Sequence, residues 1–311
     1  MHLLERNIVM KFSWIYPLKE SYQVKTFLRT KGVSRGLLAK VKFQGGKITV
    51  NHQEVNAIFY LKENDLVEMT VPDEEGYETT FPAEHPIDIV YEDEHYLIVN
   101  KPYGVVSIPS QVQPEGSMAN RVKGYYCRQN YKDQVVHIVT RLDRDTTGLM
   151  LFAKHGYAHA LMDNALRERT LLKHYSALVT GNVANDHGKI EAPIGRPTDS
   201  IIKRIVTPNG RTALTEYWVK ERYQEATLVD IQLHTGRTHQ IRVHFAHIGH
   251  PLVGDDLYGG VHDQWLSRQA LHCHELQFIH PFTMEKTLVT APYPIDMQQW
   301  TENMSITKMN H

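Results

Sequence analysis

Residues 141–154 read RLDRDTTGLMLFAK, two arginines and two aspartates within five positions followed by an apolar run. Ile138 and Val139 precede the charges, so the cluster occupies a tight segment between two strand-like stretches. A loop held between strands can aim a side chain into a cleft, and a nearby arginine favours the ionised form of an aspartate. Asp143 is therefore a candidate nucleophile or base. Taken alone, the string also describes a structural ion-pair turn in which Asp145 or Thr146 caps local backbone.

The flanking sequence sets the scaffold. Residues 87–110, IDIVYEDEHYLIVNKPYGVVSIPS, read as two strands and a loop closed by Lys101-Pro102 and Gly104. HYSALV (174–179), TALTEYWV (212–219), ATLVDIQL (226–233) and KTLVTA (286–291) alternate with period two. Helical patterns are found mainly at 156–169, GYAHALMDNALRER, and 238–249, THQIRVHFAHIG. A strand-rich chain without regular strand-helix alternation predicts an α+β fold built on a mixed sheet rather than a parallel one.

The length of 311 residues suggests about two domains. With 41% hydrophobic and 22% charged residues the composition is that of an ordinary globular protein, and no apolar run reaches the roughly 18 residues of a membrane span. The opening MHLLERNIVMKF lacks the basic start, long apolar core and small-residue cleavage site of a secretory signal, so a cytoplasmic location is expected. Cys127 and Cys273 lie outside any CxxC spacing, which argues for reduced thiols rather than a disulfide framework or cysteine zinc cluster.

A net charge of −1 says nothing general about a polyanionic partner, but the charge is unevenly spread. From Gln23 to Val50 there is no acidic residue, while Lys25, Arg29, Lys31, Arg35, Lys40, Lys42 and Lys47 are basic; from Lys62 to Glu94 the balance reverses. Within the basic stretch, Val24, Phe27 and Leu28 have helical spacing, Gly32 can end that helix, and Ser34 can cap a second one carrying Leu37, Leu38 and Val41. Gly45-Gly46 then opens a hairpin with Ile48 and Val50 on one strand and Asn51-His52 at its turn. Such a module is compatible with binding a phosphate backbone, and also with plain solvated helix faces. Residues 70–86, TVPDEEGYETTFPAEHP, lack a hydrophobic period and predict a linker.

The second chemistry-bearing stretch is HTGRTHQIRVHFAHIGHPLVGDDLYGG, residues 234–260. Thr238 or Thr235 is expected to cap a helix carrying Ile241, Phe245 and Ile248, closed by Gly249 with Pro251 beyond. Arg242 lies beside that apolar stripe and needs a carboxylate partner if buried; Asp143 is the natural candidate. A lysine at 242 would supply the same charge. His244 and His247 are three apart with no HExxH, and His272, Cys273 and His274 are alternating strand positions, so no metal site is expected.

Six blocks occur in fixed order between Ile87 and Pro294: IVYEDEHYLIVNKPYGVVS, RLDRDTTGLMLFAK, LKHYSALVTG, GRTALTEYWV, the 234–260 stretch, and LHCHELQFIHP (271–281). Together they closely resemble the RluA-type pseudouridine synthases. Tyr22 to Val71 resembles the alpha-L (S4-like) RNA-binding motif of certain ribosomal proteins, a common attachment in that family. The resemblance implies an α+β catalytic domain with a mixed, mostly antiparallel sheet, and a small N-terminal α/β RNA-binding module. The implied divisions are 1–75 for the module, 76–86 for a linker, 87–300 for the catalytic domain and 301–311 for a tail. It implies isomerisation of specific uridines in RNA to pseudouridine after base flipping, without cofactor or metal. The expected partner is ribosomal RNA first and transfer RNA second, and the chain is expected to be a monomer off the membrane. Residue by residue, Asp143 falls on the catalytic carboxylate and Arg242 on its ion-pair partner. Tyr175, within Lys173 to Ala177, falls on the tyrosine that stacks on the base, with Tyr175 or a water removing the C5 proton. Arg141 is an expected RNA contact beside the extruded base, and Lys25, Arg29, Arg35, Lys40 and Lys42 are expected backbone contacts. Thr140 and Thr147 stand where the family often has His and Ser. Two other classes fit parts of the sequence: a non-catalytic RNA-binding or assembly factor, and a metal-dependent hydrolase using the histidine-rich segment.

Overall fold

The basic stretch folds as its spacing predicts. In the computed structural model, which describes residues 10–72, 74, 80–110, 113–262 and 264–309, β1 (Lys11–Ile15) leads to α1 (Val24–Thr30), α2 (Arg35–Phe43), β2 (Lys47–Val50), β3 (Gln53–Glu54) and β4 (Leu66–Thr70). The four strands form their own antiparallel sheet in the order β1-β4-β2-β3. The Ser34 hydroxyl accepts the Leu37 N–H at 3.1 Å, capping α2. Asn51 and His52 both take positive φ, 49° and 67°, which matches the right-handed twist of the hairpin strands they join. Val24, Phe27, Leu28, Leu37, Leu38 and Val41 bury their side chains with Ile48 and Val50 in one small core.

The larger sheet begins with β5 (Asp88–Glu92) and β6 (Tyr96–Lys101), followed by α3 (Met118–Arg128), β7 (His137–Ile138), β8 (Thr147–Ala153) and α4 (Gly156–Arg167). Then come β9 (Leu172–Thr180), β10 (His187–Glu191), the short pair β11 (Ile194–Gly195) and β12 (Ile205–Val206), β13 (Leu214–Arg222) and β14 (Ala226–Leu233). α5 (Gln240–His247), β15 (Leu271–Ile279), β16 (Lys286–Thr290) and α6 (Ile295–Met309) complete the chain. Ten strands run in the order β10-β13-β14-β9-β15-β8-β6-β5, with β7 beside β8 and β16 beside β15. Only β15 with β8 is a parallel pair among the described residues. The sheet is thus mixed and mostly antiparallel, as the α+β reading expects. Leu149, Met150, Leu151 and Phe152 of β8 are fully buried at its centre, which explains their unbroken apolar run.

Two helices lie outside the patterns read from the sequence. α3 starts at a capping box in which Ser117 and Asn120 satisfy each other's backbone N–H groups. α6 runs through the position where a tail was expected at 301, because Met297, Trp300 and Met304 share one face and pack against the core beside Tyr223 and Leu228. The predicted linker is only partly a free connector. Residues 73 and 75–79 lie outside the described residues, but Ala83 and Phe81 bond to Asn120 on α3, and the Glu74 carboxylate is buried between Lys40 and His137. The two sheets meet at an aromatic seam: the Phe12 ring lies 4.7 Å from Tyr157 and 5.6 Å from Phe282, and the Tyr157 hydroxyl donates to the Lys31 carbonyl at 2.6 Å.

Candidate active site

The RLDRD segment is the turn from β7 to β8, and its backbone is held at three successive points. The Ser107 hydroxyl donates to the Leu142 carbonyl at 2.6 Å and accepts the Leu142 N–H at 3.0 Å. Lys101, whose side chain is fully buried, donates to the carbonyls of Arg144, Pro102 and Val105 at 2.7–2.8 Å. Arg268 reaches the Asp145 carbonyl at 3.1 Å while its other nitrogens pair with Asp296. Burial pushes the Lys101 ammonium down to about 7 against the opposing pull of Asp145 and Asp143. The loop therefore presents Asp143 from a fixed frame. The Lys101-Pro102 pair read in sequence only as a loop closure; its second role, and those of Ser107 and Arg268, are tertiary.

Asp143 opens into a cleft of about 670 Å³ whose walls include Arg141, Tyr175, His239 and Arg242. Arg242 Nη1 lies 3.3 Å from Asp143 Oδ2, across 99 residues of sequence. The pairing expected for Asp143 and Arg242 is formed, but it is not the main one. Arg242 donates from Nε and Nη2 to the two carboxylate oxygens of Asp255, each at 2.7 Å, and the Asp255 side chain has no solvent exposure. The Tyr258 ring covers the guanidinium at 5.0 Å. Asp255 and Tyr258 belong to GDDLYGG, a stretch whose sequence carries no pattern that singles out one aspartate of the pair.

The helix carrying Arg242 starts later than its cap signals predict. Neither Thr235 nor Thr238 caps it: α5 begins at Gln240 after His239, which adopts left-handed backbone and makes no side-chain cap. The Thr235 hydroxyl instead donates to Gln240 Oε1 at 2.8 Å and accepts the Leu214 N–H at 2.9 Å, tying the helix start to β13. Ile241 and Phe245 are buried as expected, whereas Ile248 falls beyond the helix and is exposed. His244 hydrogen-bonds the Thr215 hydroxyl and the Ala192 carbonyl inside the fold. Among the described residues no three of His, Cys, Asp or Glu are grouped to hold a metal ion.

The family model described as RNA pseudouridylate synthase matches residues 95–247, which contain Asp143, Tyr175 and Arg242. YjbO of Bacillus subtilis (strain 168), named as an uncharacterized RNA pseudouridine synthase, is 46% identical over 276 residues, 89% of this chain and 97% of that protein. The chain belongs to the RNA pseudouridine synthases. Ribosomal large subunit pseudouridine synthase D of Vibrio vulnificus (strain CMCP6) is 38% identical over 239 residues, 73% of each chain. The structure of human RNA Pseudouridylate Synthase Domain Containing 1 shares the fold, with a TM-score of 0.56 at 24% identity over 70% of this chain and 86% of that one. An RNA pseudouridine synthase is an isomerase, which sets aside the non-catalytic and hydrolase readings.

In this pseudouridine synthase Tyr175 stands on β9 with its ring almost wholly enclosed at the floor of the cleft. Burial pushes its phenol well above the ordinary value, so the ring keeps its proton and is poorly suited to accept another. Thr140 is buried and its hydroxyl accepts the Leu151 N–H at 2.9 Å; Thr147 bonds His272 at 2.9 Å. Thr140 also lines the cleft beside Arg141, whereas Thr147 lies within the fold. Arg141 is exposed at the cleft rim. Of the five basic residues expected to meet RNA, Arg29 and Arg35 are exposed and line a shallow groove shared with Arg167 of α4. Lys42 is exposed beside the Phe43 ring, and Lys25 is half-buried. Lys40 differs from expectation: its ammonium is 2.8 Å from the buried carboxylate of Glu74, so its charge is already matched within the protein.

Proposed function

We propose that this pseudouridine synthase modifies specific uridines of large-subunit ribosomal RNA, with Asp143 as the catalytic carboxylate, Arg242 as its partner and Tyr175 as the platform for the flipped base. The observation that carries the reading is the Asp143–Arg242 pair at the floor of a cleft large enough for a nucleotide. The name of the Vibrio relative favours ribosomal over transfer RNA.

The reaction rearranges atoms already present in the RNA: the bond from C1′ to N1 breaks, the base turns, and C1′ bonds to C5. The C5 proton leaves and N1 gains one, so no external group is consumed. The Asp143 carboxylate either attacks C1′ or takes a ribose proton. Extruding the uridine costs a few kcal/mol of stacking, which the enclosed Tyr175 face offsets in part. Because Tyr175 keeps its own proton, water at the open side of the cleft takes the C5 proton. Arg141 at the rim meets the backbone beside the extruded base. Residues 1–75 act as the RNA-binding module, with Lys25, Arg29, Arg35 and Lys42 on phosphates, residues 76–86 as connector and the rest as catalytic domain, in a monomer.

Mapping pseudouridine in ribosomal and transfer RNA from cells carrying wild-type protein or Asp143→Asn tests this. Loss of a discrete ribosomal site is expected in the variant. Loss confined to transfer RNA would overturn the substrate assignment, and full modification by purified Asp143→Asn would overturn the role of Asp143.

A further inference from the structure

Asp143 has a second neighbour from the same helix start that carries Arg242. His239 precedes α5 with φ 57° and ψ 20°, a left-handed conformation uncommon for side chains other than Asn, Asp and His. Its Nε2 stands 3.8 Å from Asp143 Oδ2, and its Nδ1 lies 2.8 Å from the Tyr258 hydroxyl. The same hydroxyl oxygen accepts the backbone N–H of Arg204 at 3.0 Å.

The Arg204 N–H takes one lone pair of that oxygen, so the phenol keeps its proton to offer to His239 Nδ1, and the acceptor-only carboxylate of Asp143 on the other side of the ring favours the proton on Nε2. Burial raises the Tyr258 pKa and keeps that proton in place. A neutral imidazole that accepts at Nδ1 carries its own proton on Nε2, the atom facing Asp143. Burial lowers the His239 pKa; Arg242 and Arg204 act in the same direction while Asp143 and Asp255 oppose, and the balance leaves the ring neutral near pH 7. Arg242 Nη1 approaches the same oxygen of Asp143, and among the described residues no side-chain hydrogen bond or ion pair goes to Oδ1.

We propose that His239 is a positioning residue, its Nε2–H donating to Asp143 Oδ2 once RNA fills the cleft, so that Oδ1 is the oxygen presented to the ribose. The present 3.8 Å is longer than a hydrogen bond, and hydrogen bonds of active sites commonly tighten only with substrate bound. Tyr258 holds His239 through Nδ1 and also covers Arg242, so one side chain aligns both partners of the carboxylate.

The inference rests on the family's reaction, and one assay separates the two. Total RNA from cells lacking the gene, grown on uridine tritiated at C5, is mixed with excess enzyme in single turnover. Tritium release by the wild type reports the reaction itself. His239→Gln restores an amide N–H near the place of Nε2. His239→Asn offers a group only near Nδ1, and asparagine suits left-handed backbone, so that variant retains the fold. The expected result is a Gln variant within about threefold of wild type, with His239→Asn and Tyr258→Phe slowed roughly 10- to 100-fold at unchanged RNA affinity, the range for a hydrogen bond to a charged group. A fast Asn variant, a Gln variant as slow as Asn, or a loss confined to RNA affinity would each overturn it.

Discussion

Replacing Asp255 with asparagine should cost far more stability than replacing Asp143, the proposed catalytic carboxylate. Asp255 holds Arg242 through two contacts of 2.7 Å with no solvent access to its side chain, whereas Asp143 makes one contact of 3.3 Å with 28% of its side chain exposed. Removing one partner of a buried pair leaves an uncompensated charge, at about 3–5 kcal/mol. The single, partly solvated contact of Asp143 is worth about 1 kcal/mol or less after screening. For a chain of this size each kcal/mol shifts Tm by about 1.5 °C, so Asp255→Asn should melt about 5–8 °C below wild type and Asp143→Asn within about 2 °C of it. Thermal melting and urea unfolding of both variants, with the double variant to expose their coupling through Arg242, measure this. An Asp255→Asn protein that melts with the wild type, or the reverse order of the two, would refute the assignment of Asp255 as the anchor.

Arg242→Lys should be nearly as inactive as Arg242→Ala, contrary to what charge alone suggests, because an ammonium cannot make the two-pronged contact to Asp255; a lysine variant close to wild type in single turnover would contradict this. Arg29→Gln and Arg35→Gln should each reduce the slope of log affinity against log salt by about 0.7–0.9, while Lys40→Gln leaves the slope unchanged and lowers Tm, since Glu74 loses a partner. RNA titrations across salt concentrations decide between these. Burial pushes His272 down to about 4 and His155 to about 3. Both are neutral in the folded protein and take up protons near pH 6.5 when unfolded, so stability falls as the pH drops from about 6.5 to 4, by about 3 kcal/mol per histidine. His155→Asn keeps an acceptor for the Ala158 N–H and should lessen that decline; an unchanged pH dependence of urea unfolding would count against it.

What the sequence determined is whatever is local. The two N-terminal helices, the Asn51-His52 turn and the period-two strands follow from spacing and capping within a few residues, and the ordered blocks carried the family. The carboxylate and its cation were legible because each sits in a distinctive string. Tertiary structure decided the rest. Nothing near Arg242 in sequence selects Asp255 over Asp256, yet the fold buries the first and leaves the second at the surface. Lys40 looks like its basic neighbours until Glu74, 34 residues on, meets it. His239 stands between the Asp143 carboxylate and the Tyr258 hydroxyl only because the fold brings 143, 239 and 258 together. Buried charges and hydrogen-bond directions are fixed by partners brought together through long-range packing, because desolvation penalises each group until its partner arrives. Helix caps and strand periods need no such partner, and so they can be read along the chain.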